Sequence, residues 1–125
     1  VIKYRGILQP DNIQDTLAKY DLMLFPTKYF TEGFPGSILD AYMAGIPVIA
    51  TKWKYADEFI ADHVSGVISP FDDDDAFIEN VLSIINDVDK INILKQGAQK
   101  QAVKYSPETA WKVLEKTNTE DTKKY

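Results

Sequence analysis

Apolar residues along this chain gather in short unbroken runs set between stretches of helical period. Leu22-Met23-Leu24-Phe25 is one such run, opened by Asp21 and closed by Pro26. It is too short for a helix and does not alternate, which predicts a strand buried on both faces of a parallel sheet. Pro47-Val48-Ile49-Ala50 predicts a second, with the proline at the first position, where its missing N–H costs least. Residues 1–4 predict a further strand stopped by Gly6, and residues 66–69 a last one.

Helical patterns fill the intervals. Asp11, with Gln14 three residues on, has the form of a capping box ahead of the stripe Ile13, Leu17, Tyr20. Ser-Ile-Leu-Asp-Ala-Tyr-Met-Ala predicts a helix from Ser37 ending at Gly45, and a short helix is predicted at 56–61. After Asp72, the residues Phe77, Val81, Ile84, Ile85 and Val88 follow one 3.6-residue stripe, and Leu94, Ala98 and Ala102 form another. Ser106-Pro107-Glu108 caps a predicted terminal helix carrying Ala110, Trp111 and Leu114. Strands alternating with helices imply right-handed βαβ units. The expected fold class is α/β, a Rossmann-like parallel sheet flanked by helices. Ligands of such sheets sit beyond the carboxyl ends of the strands, where the loop from Pro26 to Ser37 falls.

Composition narrows the picture. At 125 residues the chain is expected to be one domain able to bury a core. Fourteen basic against nineteen acidic residues leave a formal charge of −5, which argues against a nucleic-acid partner. With no cysteine there is no disulfide, no thiolate metal site and no thiol nucleophile. That composition fits a cytoplasmic protein. The uncharged stretch at 41–51 is too short to span a bilayer. The chain opens on Val1, directly in a strand pattern, and is expected to be a piece of something longer.

Chemistry concentrates between Glu32 and Asp40. Gly33 and Gly36 let backbone approach a ligand, and a helix beginning at Ser37 offers unpaired N–H groups and the positive end of its dipole. A phosphate cradle flanked by two carboxylates describes a sugar-phosphate or nucleotide-sugar pocket. The same residues permit a plainer assignment. Ser-x-x-Asp is also a capping box, with Asp40 folded back onto the Ser37 amide, and the glycines can be turn residues.

Gly-x-Leu, Tyr-Asp-Leu-Met-Leu-Phe-Pro-Thr, Glu-Gly-Phe-Pro-Gly-Ser-Ile-Leu-Asp-Ala and Ala-Gly-Ile-Pro-Val-Ile-Ala-Thr follow one another in this order. Together they resemble the C-terminal domain of the retaining, GT-B-fold glycosyltransferases of group 1 (family 4). The family signature is two acids separated by seven residues, then a Gly-x-Pro-Val strand. Here these are Glu32, Asp40 and Gly45-Ile46-Pro47-Val48. The second acid is Asp40 where the family more often has Glu, an arm one carbon shorter that can still reach a ribose. The likeness runs from about Gly6 to Asp87 and is greatest to members that build bacterial capsular polysaccharides or exopolysaccharides.

The resemblance implies a role for each matching residue. Glu32 would be the catalytic-site acid that holds donor-sugar hydroxyls. Gly33, Phe34, Pro35, Gly36, Ser37 and Ile38 would hold the sugar and diphosphate, Asp40 the ribose, and Gly6, Ile7 and Leu8 would face the base. No metal or cofactor is implied, because amide dipoles and basic side chains would stabilise the leaving diphosphate. The implied partners are a nucleotide-sugar donor, a saccharide or lipid-linked acceptor, and an N-terminal GT-B domain that this chain does not contain. The opening of the C-terminal domain, with its diphosphate-clamping Arg and Lys, is likewise absent, so residues 1–125 would be a partial donor-binding domain. The parent protein would be cytoplasmic, peripheral at the inner membrane face. The surface that meets the absent domain is expected to expose Tyr29, Phe30, Phe34 and Trp53 and to drive self-association.

Other residues invite weaker assignments. Asp72 to Asp75 lack the spacing and glycine of a calcium loop and suit a helix N-terminus. His63, the sole histidine, follows Asp62 in a polar connector and reads as a solvated loop residue. Lys52-Trp53-Lys54-Tyr55 either stacks a base or sugar or packs beneath a loop between two solvated lysines. A receiver-type signalling domain shares the Pro-Val-Ile-Ala-Thr strand but needs a phosphoacceptor Asp where Phe25-Pro26-Thr27 stands. A catalytically dead nucleotide-binding module is the remaining alternative.

Overall fold

The computed structural model describes residues 11–33 and 35–104. The strand predicted at 1–4, the candidate site residues Gly6, Ile7, Leu8 and Phe34, and the helix around Trp111 lie outside the described residues. The elements run α1 (Ile13–Leu17), β1 (Met23–Phe25), α2 (Gly36–Met43), β2 (Val48–Thr51), α3 (Ala56–Phe59), β3 (Gly66–Ser69), α4 (Asp74–Ile85) and α5 (Val88–Lys104). The strands pair in the order β1-β2-β3, both pairings parallel.

Register sorts the core into two layers. Leu24, Ile49 and Val67 lie in one row across the sheet, while Val48 and Ala50, in the alternating positions, belong to the opposite face. Ile49 and Val67 pack with Phe77, Ile84, Ile91 and Leu94 from α4 and α5. Val48 and Ala50 pack with Ile38, Ala41 and Tyr42 of α2, with Trp53 and with Ala98. The result is the expected helix–sheet–helix layering.

Two-sided burial holds for β2, whose four residues are all buried, but not for β1. Leu24 is 46% exposed although its row neighbour Ile49 is sealed, because β1 is the edge strand among the described residues.

Helix boundaries also depart from the expected ones. Asp11 does not cap α1. That helix starts after Asn12, makes no side-chain cap bond, and ends at Leu17, which leaves Tyr20 beyond it and exposed. The single stripe expected through Val88 breaks at Asn86 and Asp87. The Asp87 carboxylate accepts the Lys90 N–H at 3.0 Å and starts α5 afresh, so Ile85 and Val88 turn outward. At the head of α4, Asp73 accepts the Ala76 N–H at 3.0 Å, and Asp74 and Asp75 occupy the favourable first turn.

Helix α2 ends where expected. Gly45 takes φ 78°, the left-handed conformation that lets its own N–H reach Tyr42 O and the Ile46 N–H reach Ala41 O, both at 2.9 Å. Behind it a buried polar knot ties three segments together. The Tyr42 hydroxyl donates to Phe59 O at 2.7 Å, so its contact with Ser65 Oγ at 3.1 Å has Ser65 as donor. Ser65 Oγ in turn accepts the Ala61 N–H.

Helix α5 crosses the turn before β3 so closely that a Cβ on Gly97 would overlap the Val64 carbonyl. Gly97→Ala is expected to destabilise the fold by at least about 1–3 kcal/mol in urea titrations. The exposed neighbour substitution Gln96→Ala should stay within about 0.5 kcal/mol of the unaltered chain.

Candidate functional site

All three parallel strands end at the same edge of the sheet, so the loops at 26–35, 52–55 and 70–73 emerge side by side. Their backbones are tied to one another. The Thr51 hydroxyl at the end of β2 donates to Thr27 O at 2.6 Å, and the Lys54 N–H donates to Phe30 O at 2.8 Å. On the other side the Lys52 N–H donates to Ser69 O at 2.7 Å. The Phe30 and Phe71 rings meet edge-on at 5.2 Å. Lys28 Nζ lies 2.9 Å from Asp74 and 3.2 Å from Asp72. Those carboxylates, Asp74 foremost, raise the lysine above its ordinary 10.5. A raised lysine keeps its ion pair at neutral pH and loses it only as pH climbs past that ordinary value. All three groups are exposed, so the pair orients the loop more than it stabilises the fold.

The loop delivers the chain to α2 through Pro35, which occupies the N-cap position at φ −77°, ψ 110° and has no side-chain acceptor. The helix thus begins at Gly36, one residue before the expected Ser37, and Asp40 lies in its second turn rather than its first. The capping-box alternative fails, since Ser37 is already inside the helix and no Asp40-to-Ser37 bond forms. The Ile38 N–H turns back to Pro35 O at 3.1 Å. Those of Gly36 and Ser37 find no acceptor among the described residues.

Nothing among the described residues explains the glycines at 33 and 36. Neither Gly33 nor Gly36 has positive φ, and a Cβ added to either would meet nothing within 4 Å. Turn chemistry and internal packing would both accept a larger residue there. Glu32 donates its N–H to Tyr29 O at 3.0 Å. The carboxylates of Glu32 and Asp40, both half-buried, have no hydrogen-bond or ion-pair partner among the described residues. Along the chain, two carboxylates without partners among the described residues thus bracket the amides of Gly36 and Ser37, groups able to take an anion bearing hydroxyls.

The other candidates resolve more plainly. Trp53 is 1% exposed, not part of an open face, and packs edge-on to Phe25 at 5.6 Å and flat against Phe59 at 6.3 Å. Lys52 and Lys54 stay in solvent, with Lys54 Nζ 5.3 Å from the centre of the Tyr55 ring. Tyr29 and Phe30 are exposed as expected. His63 sits on an exposed turn beside Lys90. Among the described residues no cluster of His, Cys, Asp or Glu could hold a metal ion, and no helix is long and apolar enough to cross a membrane. The anchoring role of Thr51 was visible only as the last letter of Pro-Val-Ile-Ala-Thr, and Lys28 had no local signal at all.

The profile of the family described as "Glycosyl transferases group 1" matches residues 1–87. The chain belongs to the group 1 glycosyltransferases. No curated protein sequence matches it. Among solved structures, it superposes on Anabaena HepE in complex with UDP and glucose with a TM-score of 0.78 and 22% identity, over 94% of this chain and 32% of HepE. Sucrose-phosphate synthase from Thermosynechococcus elongatus matches with a TM-score of 0.70 and 16% identity, over 80% and 25% of the two chains. TarM matches at 0.71 and 23%, over 89% and 22%. The shared fold is that of the GT-B glycosyltransferases, and this chain spans about a third or less of each neighbour's length. Membership in this family answers the receiver-domain alternative.

Because Asp40 caps nothing, Asp40→Asn is expected to leave the unfolding free energy within about 0.5 kcal/mol in urea titrations. Thr51→Val, which removes the half-buried hydrogen bond to the Thr27 carbonyl, should cost about 0.5–1.5 kcal/mol.

Proposed function

We propose that this chain is the donor-binding part of the C-terminal domain of a retaining, family 4 glycosyltransferase that moves a sugar from a nucleotide to a saccharide or lipid-linked acceptor. The observation that carries this reading is the pair of acids, without partners among the described residues, that bracket the uncapped N-terminus of α2 in the chain. The diphosphate would lie against the amides of Gly36 and Ser37, with Gly33 leaving room for the sugar. Pro35 and Ile38 keep their donor contacts from the family likeness alone, since the Ile38 N–H is already bonded to Pro35 O. Glu32 would hold sugar hydroxyls and Asp40 the ribose. Gly6, Ile7, Leu8 and Phe34 keep their proposed donor contacts from the family likeness alone. Uridine nucleotides are the first ligands to try, since HepE has been solved with UDP-glucose.

No metal or cofactor enters this proposal. Helix amides and basic side chains of the complete enzyme would carry the charge that develops on the leaving diphosphate. An N-terminal GT-B domain would supply the acceptor site, in polysaccharide assembly at the cytoplasmic face of a bacterial membrane. The exposed Tyr29 and Phe30 would lie towards that domain, and without it they give the isolated chain a surface for self-association.

Binding measurements separate the two acids. Asp40→Asn should weaken UDP and UDP-glucose alike, whereas Glu32→Gln should weaken UDP-glucose only. Each effect should be about ten- to a hundredfold, the loss of a hydrogen bond to a charged acceptor, read by calorimetry or by NMR titration. If neither substitution changes either affinity, the donor-site assignment is wrong.

A further inference from the structure

The geometry points to Tyr29 as a stacking platform for a pyranose ring, a determinant of sugar recognition beyond Glu32 itself. This rests on the donor-site reading above. The Glu32 N–H closes on Tyr29 O at 3.0 Å, so the two residues are the first and last of a hydrogen-bonded turn. The ends of such a turn lie within about 7 Å of each other at Cα. An aromatic ring and a carboxylate carried on the two ends of one turn offer what a pyranose uses, since its C–H face packs on aromatic rings while its hydroxyls seek acceptors.

Single exposed aromatic rings are ordinary on protein surfaces. This one differs in how firmly its backbone is held. Its own N–H donates to Thr27 Oγ1 at 3.1 Å, and the Thr27 carbonyl is clasped by Thr51 at 2.6 Å. The next residue, Phe30, is accounted for, its carbonyl taken by Lys54 and its ring by Phe71. The Tyr29 ring does no such work. It is 68% exposed and has no ring, hydrogen-bond or charge partner among the described residues. A ring with two side-chain torsions on a pinned turn loses little freedom when a ligand covers it. Glu32, at the far end of the same turn, is half-buried and its carboxylate has no partner among the described residues.

The test uses the 125-residue chain with UDP, UDP-glucose and methyl glucoside as probes, following affinities and the Tyr29 ring resonances by NMR. Tyr29→Ala is expected to weaken UDP-glucose about three- to tenfold while leaving UDP unchanged, and Tyr29→Phe to keep the original affinity. That result places the donor's sugar on the ring. Unchanged UDP-glucose affinity, with ring resonances that shift on adding methyl glucoside, places an acceptor sugar there instead. Equal weakening of UDP and UDP-glucose overturns the platform, as does the absence of any sugar-dependent effect. If the unaltered chain binds neither nucleotide, the donor-site reading falls. The methyl glucoside shift then decides the platform alone, in favour if the ring responds and against if it does not.

Discussion

Strand β2 has no side left for solvent, and the carboxyl edge of the molecule depends on where it stops. Its four residues are buried, it is paired on both edges, and its side chains alternate between two separate core layers. Slipping the register by one residue would send Ile49 into the layer shaped for Val48 and Ala50. The strand is thereby locked along its length, and its last residue is locked with it. Thr51 spends its hydroxyl on the carbonyl of Thr27 and so fixes the start of the loop that carries Glu32. Burial in the core is converted, through one hydrogen bond, into placement of a surface loop.

Helix α2 is held at one end and left open at the other. At its C-terminal end, Gly45 closes the last turn, and the Tyr42 hydroxyl is buried in a knot with Phe59 and Ser65. At its N-terminal end, Pro35 brings the chain in extended and contributes no side-chain acceptor. A helix capped by its own sequence would gain about 1 kcal/mol and lose the amides a ligand needs. Here the capping interaction is forgone, while the cost of order is met by packing of Ile38, Ala41 and Tyr42 against the sheet. Trp53 belongs to the same support. Wedged between Phe25 and Phe59, it fills the layer beneath the loops rather than offering a face to a ligand.

The parallel α/β architecture was legible in the sequence because it is written in local periodicity. Sequence pattern located β1, β2, β3 and α2 to within a residue or two, while α4 and α5 were recognised as helical but their boundary at Asn86 and Asp87 was not. The acids at 32 and 40 and the Gly-x-Pro-Val strand were legible as well, since spacing along a chain survives folding unchanged. What tertiary structure decided was which neighbours each residue met. Leu24 and Trp53 are both large and apolar, yet the first is half-exposed on a strand that is at the edge among the described residues and the second is sealed. Pattern alone cannot rank them, because burial is a property of what packs alongside. The Ser-x-x-Asp box looked complete in sequence and failed in space, displaced by a helix that starts one residue early after Pro35. Likewise, Thr51 and Thr27, or Lys28 and Asp74, are far apart along the chain and share no local signal. Only the closing of the sheet brings such pairs together, because long-range contacts follow from topology and not from period.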